Sequence, residues 1–295
     1  MVTSRRSGER RPNLDATAEI AAWVCASGMD GVMLLGATGQ FLDFEIAERG
    51  ELVRCVTERV RQPVLVNCSH PTLLGAVSLG KTACEHGASA LMVMPPPFFH
   101  YPPSDVRAFF LQFAERMERR VPLILYNLPQ FTDWIPYEIA EELLASGAYV
   151  AIKDSSGDQK YFDRLAALKS LVSFRLFVGN DALFVHGHRA GADGAISGCA
   201  CAVPELMAGL RAALHSGDAA KAQRLDKSLR ELLKWLERFP VPEGIREALA
   251  ERCFGVGMRA VPMGEVNAER LREFREWLAG WLANLPGAPG VATLG

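Results

Sequence analysis

The chain has 295 residues, which at roughly 150 residues per domain allows two domains or one large α/β barrel with extra residues. Apolar residues make up 49% and charged residues 22%, ordinary values for a globular chain, so disordered, collagen-like and coiled-coil classes are excluded. Because 32 Lys and Arg nearly balance 34 Asp and Glu, the charge gives no reason to expect a nucleic acid as partner.

The cysteines and the apolar runs indicate the cellular setting. The seven cysteines are odd in number and lack the close C-x-x-C pairs of zinc or redox sites, so we expect reduced thiols. The sequence shows neither a secretory signal nor an apolar run of about 18 residues that would span a membrane. We therefore expect a cytoplasmic protein that binds neither membranes nor nucleic acid.

Short apolar runs alternate with longer segments of helical periodicity. Seven runs are apolar throughout, as expected of parallel strands buried on both faces: 31–35, 63–67, 89–94, 122–126, 149–153, 174–178 and 193–196. Helices are predicted between them at 46–60, 72–86, 105–119, 136–146, 160–170 and 183–190. This alternation predicts a parallel sheet joined by right-handed crossovers.

Such a sheet forms either an open doubly wound fold or a closed barrel. The glycine-rich turn at 36–40, GATGQ, is not the G-x-G-x-x-G turn of a nucleotide-binding open sheet. Strands recur at about 25 to 35 residues, which favours a (β/α)8 TIM barrel. Beyond it, helices are predicted at 202–216, 218–239, 243–253 and 269–282. The predicted division is an α/β barrel over 1–201 and a C-terminal helical region packed on it over 202–295.

Lys153 is the most informative candidate for chemistry, because active sites of α/β barrels collect at the carboxyl ends of the strands. The chain has only seven lysines, and six lie in polar helical contexts, whereas Lys153 closes the apolar run Val150–Ile152. A buried ammonium is costly unless it is paired or loses its proton, and a neutral amine attacks ketones to form a Schiff base. The alternative is a structural ion pair with Asp154 or another carboxylate.

Two further strand ends add candidates. Tyr126 ends the preceding strand run, so its phenol is a candidate proton relay beside Lys153, although a strand-end tyrosine taken singly is more often a core residue. The turn at 36–40 can present backbone N–H groups and the Thr38 hydroxyl to a carboxylate, or it can be a tight turn with no further role.

Taken together, these segments resemble the dihydrodipicolinate synthase and N-acetylneuraminate lyase family of class I pyruvate-dependent aldolases, from about Leu14 to Pro262. The turn at 36–40 is similar to the family's G-[ST]-T-G-E, and YNLP at 126–129 to its Y-N-x-P. AIKD at 151–154 is similar to its G-I-K-D, and GADGAIS at 191–197 to its G-A-x-G-x-I-S. Four motifs in order on successive strand ends make the likeness specific.

The resemblance implies a barrel with a three-helix C-terminal region, a homotetramer built as a dimer of dimers, and no metal or organic cofactor. It implies that Lys153 binds the ketone carbon of pyruvate or another 2-oxo acid and that Tyr126 relays protons. Thr38 with nearby backbone amides, Ala37 among them, would hold the carboxylate, and Ile196 would add a backbone contact opposite.

Departures from the family pattern narrow the expected substrate. Ala37 and Phe99 stand where dihydrodipicolinate synthase has hydroxyl residues of its relay, and Phe131 stands where it has an arginine for the aldehyde substrate. Lysine biosynthesis is therefore not expected.

The stretch at 179–182, GNDA, retains the aspartate of the sialic acid lyase motif but not its glutamate. Gly179, Asp181 and Ser155 are predicted to contact hydroxyls of a shorter substrate, such as a 2-oxo-3-deoxy sugar acid. Phe98, Phe99 and Phe131 would form an apolar wall of the site or a subunit contact.

Three functions remain open. The leading hypothesis is a Schiff-base lyase or aldolase that cleaves or forms a C–C bond through a Lys153 enamine. The alternatives are a sugar acid dehydratase that uses the same Schiff base, and a non-catalytic homologue. Metal-dependent aldolase chemistry is not favoured, because His186 and His188 fall on different faces of a predicted helix.

The amino-terminal segment also departs from the family, whose members begin with a strand. In this sequence residues 1–6 are reached with almost no strand before them, and no run that could form an eighth strand is evident. The hypothesis is that the true start lies upstream or that the first strand is unusually short.

Overall fold

Seven parallel strands form one sheet in which each strand pairs with the next along the chain. The computed structural model describes residues 1–6 and 8–285. The strands are β1 (Val32–Leu34), β2 (Val64–Asn67), β3 (Ala90–Val93), β4 (Leu123–Asn127), β5 (Ala151–Asp154), β6 (Arg175–Val178) and β7 (Gly194–Ala195). All seven predicted strands and their parallel order are confirmed.

Helices connect successive strands. They are α2 (Ile46–Arg59), α3 (Leu73–Glu85), α4 (Pro103–Met117), α5 (Tyr137–Ala145), α6 (Gln159–Leu168) and α7 (Phe184–Arg189). All six helices predicted between strands are thereby confirmed to within two residues at each end. Each returns the chain to the amino end of the sheet, so the carboxyl ends of all strands share one side.

One further helix, α1 (Leu14–Ala26), was not predicted. Asn13 caps it by accepting a hydrogen bond from the Ala16 N–H at 3.2 Å. Its buried residues include Thr17, Ala18, Ile20 and Val24, whereas Ala16, Ala22 and Ala26 on the rest of the circumference are apolar but not fully buried. The contrast between an apolar and a polar face is therefore weak, and the periodic signal is lost.

Four helices follow the sheet: α8 (Pro204–Ser216), α9 (Ala219–Leu236), α10 (Glu243–Glu251) and α11 (Glu265–Ala283). Aromatic contacts join α9 to α11, with the rings of Trp235 and Phe274 5.6 Å apart. The buried Arg246 guanidinium donates to the carbonyl oxygens of Val256, Gly257 and Met258 and so fixes the loop before α11. The predicted helical nature of the C-terminal region is confirmed. The domain boundary at residue 201 stays a prediction, and residues 286–295 lie outside the described residues.

The sheet does not close into the expected eight-stranded barrel within the described residues. β1 pairs only with β2, and β7 pairs only with β6. Residues 1–6 form no strand, and Arg5 makes only an isolated antiparallel bridge with Pro12. The Met1 nitrogen contacts the Met33 carbonyl of β1, but by Arg5 the chain has reached the C-terminal region, where the Arg5 N–H donates to the Val256 carbonyl. The short or truncated first strand remains a hypothesis.

Among the described residues, none of the helices has both the length and the apolar character needed to cross a membrane.

The cap of α1 generates a prediction about stability. Replacing the side chain in Asn13→Ala leaves an N–H of the first turn without its acceptor, which costs about 1 kcal/mol. We expect the melting temperature to fall by about 2 to 3 °C. Asn13→Asp retains the acceptor and should melt close to the wild type in the same thermal scan. Equal losses in the two variants would contradict a capping role.

Candidate active site

Lys153 and Tyr126 lie side by side at the carboxyl ends of two neighbouring strands. The register of β4 and β5 places their Cα atoms opposite each other. Directly paired residues of neighbouring strands point to the same face of the sheet, so the two side chains meet. Lys153 Nζ donates to Tyr126 Oη at 3.2 Å and lies 4.2 Å from the centre of the tyrosine ring. The hydrogen-bonded backbone thus sets the spacing of the two groups.

The Lys153 amine is buried without a carboxylate partner. Among the described residues, its only other hydrogen-bond contact is with the Met33 thioether, 3.9 Å away. Within residues 1–6 and 8–285, no Asp or Glu oxygen lies within ion-pairing distance of Nζ. The alternative of a structural ion pair with Asp154 is therefore wrong. Alternation along β5 directs the two successive side chains to opposite faces of the sheet.

Asp154 belongs to a separate buried network. Its carboxylate accepts hydrogen bonds from the Asn127 amide at 2.8 Å and from the Ser156 hydroxyl at 2.9 Å. Asn127 in turn accepts from the Ile135 N–H at 3.1 Å. Burial raises the pKa of Asp154 to about 6, although the hydrogen bonds from Asn127 and Ser156 oppose the rise. The network joins the ends of β4 and β5 to the loops that follow them.

The glycine-rich turn faces Lys153 across a cavity of about 760 Å³. Residues Ala37–Gly39 form one turn of 3₁₀ helix after β1, between positive φ values of 60° at Leu35 and 50° at Gln40. Thr38 approaches Gly198 so closely that a Cβ there would lie 3.3 Å from Thr38 Oγ1. At this end the cavity is lined by Gly36, Ala37, Thr38, Tyr126, Lys153, Ile196, Ser197 and Gly198. The structure thus brings five predicted site residues, at positions 37, 38, 126, 153 and 196, to one cavity.

Gly179 and Ser155 lie beside the stem of the lysine. A Cβ on Gly179 would lie 2.8 Å from Lys153 Cε and 2.0 Å from Ser155 Oγ, so only glycine fits there. The Ser155 hydroxyl is buried and has no hydrogen-bond partner among the described residues. It is therefore a polar group next to the amine with unused hydrogen-bonding capacity.

Asp181 has a local role in the fold. Its Oδ2 accepts a hydrogen bond from the Cys199 N–H at 3.0 Å, at the start of the short turn Cys199–Cys201. Its carboxylate is not part of the cavity lining. A Cβ on Gly198 would lie 3.9 Å from Asp181 Oδ2 and 3.3 Å from Thr38 Oγ1, so the carboxylate lies near the glycine-rich turn. Its contact with a substrate hydroxyl stays a prediction.

The predicted aromatic wall faces solvent in the single chain. Phe98, Phe99 and Phe131 are 85%, 63% and 56% exposed. The rings of Phe98 and Phe99 meet edge to face at 4.9 Å, and Phe98 adopts a φ of 86°. None of the three lines the cavity beside Lys153.

Met33 and Phe177 were not predicted as site residues. Met33 places its sulfur near the lysine amine, and Phe177 pairs with Lys153 in the register of β5 and β6. Both lie within apolar strand runs, so composition carries no sign of a role. The one available signal was the position of Met33 in the alternation of side chains along β1, which assigns its side chain to the interior face of the sheet.

Metal-ligating groups are not clustered near this cavity. Within the described part of the chain, no set of three or more His, Cys, Asp or Glu side chains could hold a metal ion. His186 instead pairs with Asp163 at 2.6 Å, and the His188 ring packs against His215. The absence of a cofactor stays a prediction.

A parallel sheet whose strands pair in chain order, with a cavity at their carboxyl ends, is characteristic of the barrel class of α/β enzymes. Residues 9–280 match the model of the dihydrodipicolinate synthetase family. The chain belongs to this family, and it is an enzyme of the class I pyruvate-dependent lyase and aldolase type that the family comprises. The predicted family membership is confirmed.

Individual relatives agree with this assignment. The chain is 31% identical, over 74% of its length and 73% of the relative's, to a protein of Escherichia coli (strain K12) named as a probable 2-dehydro-3-deoxy-D-pentonate aldolase. It is 30% identical, over 81% and 82% of the two chains, to 4-hydroxy-tetrahydrodipicolinate synthase of Methanococcoides burtonii. A crystal structure of an E. coli K12 prophage protein of the same family, in complex with pyruvate, superposes with a TM-score of 0.86 at 22% identity, covering 95% and 96%. The last likeness supports the fold.

The raised pKa of Asp154 predicts a pH dependence of stability. Between about pH 4 and pH 6 the folded protein retains a proton that the unfolded chain has lost, so the free energy of unfolding falls as the pH rises. Asp154→Asn removes this effect and keeps the side-chain shape: its amide oxygen can still accept from Asn127, and its NH2 group can donate to the Ser156 hydroxyl in place of the bond that Ser156 now donates. The variant should gain about 3 kcal/mol relative to the wild type from pH 4 to pH 7, since one pKa unit corresponds to about 1.4 kcal/mol.

Urea unfolding at a series of pH values measures this difference. Asp105→Asn, at an exposed carboxylate in the first turn of α4, controls for the loss of one negative charge. If the difference in the free energy of unfolding between the wild type and Asp154→Asn does not change with pH, the raised pKa of Asp154 is contradicted.

Proposed function

We propose that the protein is a Schiff-base lyase that cleaves a 2-oxo-3-deoxy sugar acid to pyruvate and an aldehyde, with Lys153 as the nucleophile. The observation that carries the proposal is the buried Lys153 amine, hydrogen-bonded to Tyr126 and free of any carboxylate among the described residues. A lysine amine that is held in a cavity and engaged by no carboxylate is free to add to the ketone of a bound substrate.

Lys153, Tyr126 and water are sufficient for every step of this reaction. The Lys153 amine attacks the C2 ketone, and water leaves the carbinolamine to give an iminium. A base removes the proton of the C4 hydroxyl, C4 leaves as an aldehyde, and the C3–C4 electron pair moves into the iminium to form an enamine. Protonation at C3 and addition of water then release pyruvate and restore the amine.

Tyr126 is positioned for the proton transfers in this sequence. Its hydroxyl lies 3.2 Å from Nζ, which is within the distance required of a general acid or base. The turn Ala37–Gly39 supplies backbone N–H groups and the Thr38 hydroxyl across the cavity, where a carboxylate next to the ketone would lie. The ketone carbon is then held between the carboxylate contact and the amine.

The substrate class follows from the relatives and from the polar groups beside the amine. The similarity to the E. coli protein named as a pentonate aldolase favours a short 2-oxo-3-deoxy sugar acid. The unpaired Ser155 hydroxyl is suited to a substrate hydroxyl beyond C3. The missing hydroxyls at Ala37 and Phe99 argue against the synthase reaction of the second relative.

Reductive trapping tests the role of Lys153. Borohydride with pyruvate should add the mass of pyruvate less water plus two hydrogens to the peptide that contains Lys153, since reduction fixes the iminium. The other six lysines serve as internal controls, and Lys153→Arg should abolish the adduct. Failure of the wild type to form an adduct at Lys153 would contradict the proposal.

Product analysis with a 2-oxo-3-deoxy pentonate separates cleavage from dehydration. Cleavage releases free pyruvate, whereas loss of water retains all five carbons in one product.

The proposed relay gives a second prediction. Tyr126→Phe removes one hydroxyl and should slow turnover by about 100-fold, because general acid–base catalysis contributes 10²- to 10⁴-fold. Tyr149→Phe is a matched control, since Tyr149 is fully buried and its hydroxyl donates to the Phe110 carbonyl, away from the lysine. Stopped-flow measurement of single turnovers reports the rate, and equal rates in the two variants would contradict the relay.

A further inference from the structure

The turn Ala37–Gly39, which faces Lys153 across the cavity, follows a residue with an unfavourable backbone conformation. Leu35 leaves β1 with a φ of 60° while its side chain is buried. Residues with a Cβ adopt this left-handed region only at a cost, and they stay in it only where neighbouring groups hold them there. Contacts from outside the turn must therefore fix the Leu35 backbone.

The Asn67 side chain supplies such a contact. Leu34 pairs with Val66 in the register of β1 and β2. The residues that follow them, Leu35 and Asn67, are therefore neighbours. Asn67 is fully buried, and its Nδ2 donates to the Leu35 carbonyl at 2.6 Å. Because water cannot replace a partner at a buried site, loss of this amide would leave the Leu35 carbonyl unsatisfied.

Ser69 fixes the orientation of the Asn67 amide. Its hydroxyl donates to Asn67 Oδ1 at 2.6 Å and accepts from the Met94 N–H at 2.9 Å. A backbone N–H can only donate and the Leu35 carbonyl can only accept, so the directions of all three hydrogen bonds are determined. The amide therefore cannot turn over without losing its bonds on both sides.

Arg49 joins the other end of the same segment to Ser69. Its Nε donates to the Phe44 carbonyl at 3.0 Å, and its Nη1 donates to the Ser69 carbonyl at 3.1 Å. Burial lowers the pKa of Arg49 to about 10, which leaves the guanidinium charged at neutral pH. Residues 35–44 are thus held at both ends by side chains that meet at Ser69.

On the basis of the proposed function, in which a substrate carboxylate lies next to the ketone, we propose that Asn67 is a positioning residue. Together with Ser69 it holds the turn Ala37–Gly39 where the backbone N–H groups and the Thr38 hydroxyl meet that carboxylate. Neither Asn67 nor Ser69 lines the cavity, so both act through the turn and not on the substrate itself.

Binding of the carboxylate and reaction at the amine are then separate properties. The spacing of Lys153 and Tyr126 depends on β4 and β5, whereas Asn67 ends β2 and acts on the turn that follows β1. Loss of the Asn67 amide should therefore weaken binding of a 2-oxo acid and leave the rate at saturation nearly unchanged. A residue with only a structural role would not discriminate between ligands with and without the carboxylate.

Pyruvate and its methyl ester test this discrimination, because the ester keeps the ketone but lacks the charged carboxylate. Adduct formation at Lys153 with cyanoborohydride, measured over a range of ligand concentrations, gives a half-saturating concentration and a maximal rate for each ligand. In Asn67→Ala the half-saturating concentration should rise about 10-fold for pyruvate and less than about twofold for the ester. An equal rise for the two ligands, or no rise for pyruvate, would overturn the proposal.

Two further variants control this measurement. Ser69→Ala removes the hydroxyl that orients the amide and should shift the ratio of the two half-saturating concentrations in the same direction. It decides the outcome if Asn67→Ala does not fold. Asn127→Ala removes a buried amide at the end of β4 that contacts Asp154 and Ile135, so the ratio should stay at the wild-type value. A matching shift in Asn127→Ala would show that the effect is not specific to the turn and would overturn the assignment.

Hydrogen exchange gives a readout that does not depend on the Schiff base. The Gly39 and Gln40 N–H groups donate within the turn to carbonyl oxygens three residues earlier. Both amides should exchange about 10-fold faster in Asn67→Ala than in Asn127→Ala. Equal exchange in the two variants would overturn the positioning role. A wild type that forms no adduct would contradict the proposed function, and the exchange rates would still decide whether Asn67 holds the turn.

Discussion

Much of this structure serves to keep one lysine amine away from water and from negative charge. Removing an ammonium from water costs several kcal/mol unless an opposite charge compensates, and among the described residues the Lys153 amine hydrogen-bonds only to a phenol and a thioether. The nearest carboxylate in the sequence, Asp154, is turned to the other face of β5 and engaged there by Asn127 and Ser156. The pleat of one strand thus separates a reactive group from a structural one at adjacent positions.

The sequence was sufficient to predict those parts that depend on local pattern. Buried parallel strands are continuous apolar runs, so seven strands and the helices between them could be identified. Lys153 stood out because a charged residue closes such a run. Its proximity to Tyr126 followed from the parallel order, since neighbouring strand ends lie together. The orientation of Asp154 was also predictable from strand alternation, but the ion-pair alternative was left open.

Other parts depend on contacts between distant segments and leave no local trace. Helix α1 carries the apolar residues Ala16, Ala22 and Ala26 outside its buried face, so its apolar residues do not form a narrow stripe. Met33 is an apolar residue in an apolar run, and only its distance from Nζ gives it a place in the site. The hydrogen bond that Asp181 Oδ2 accepts from the Cys199 N–H was not predicted either, and contact of this carboxylate with substrate stays a prediction. A motif position alone does not reveal such a backbone partner.

The direct register of Tyr126 and Lys153 has a consequence for how this site can change over evolutionary time. The two groups are spaced by the backbone hydrogen bonds of β4 and β5, not by the loops that follow them. Insertions or substitutions in those loops can therefore alter the walls that meet a substrate while the amine and phenol keep their separation. New specificities are accessible through mutations that leave the reactive pair untouched.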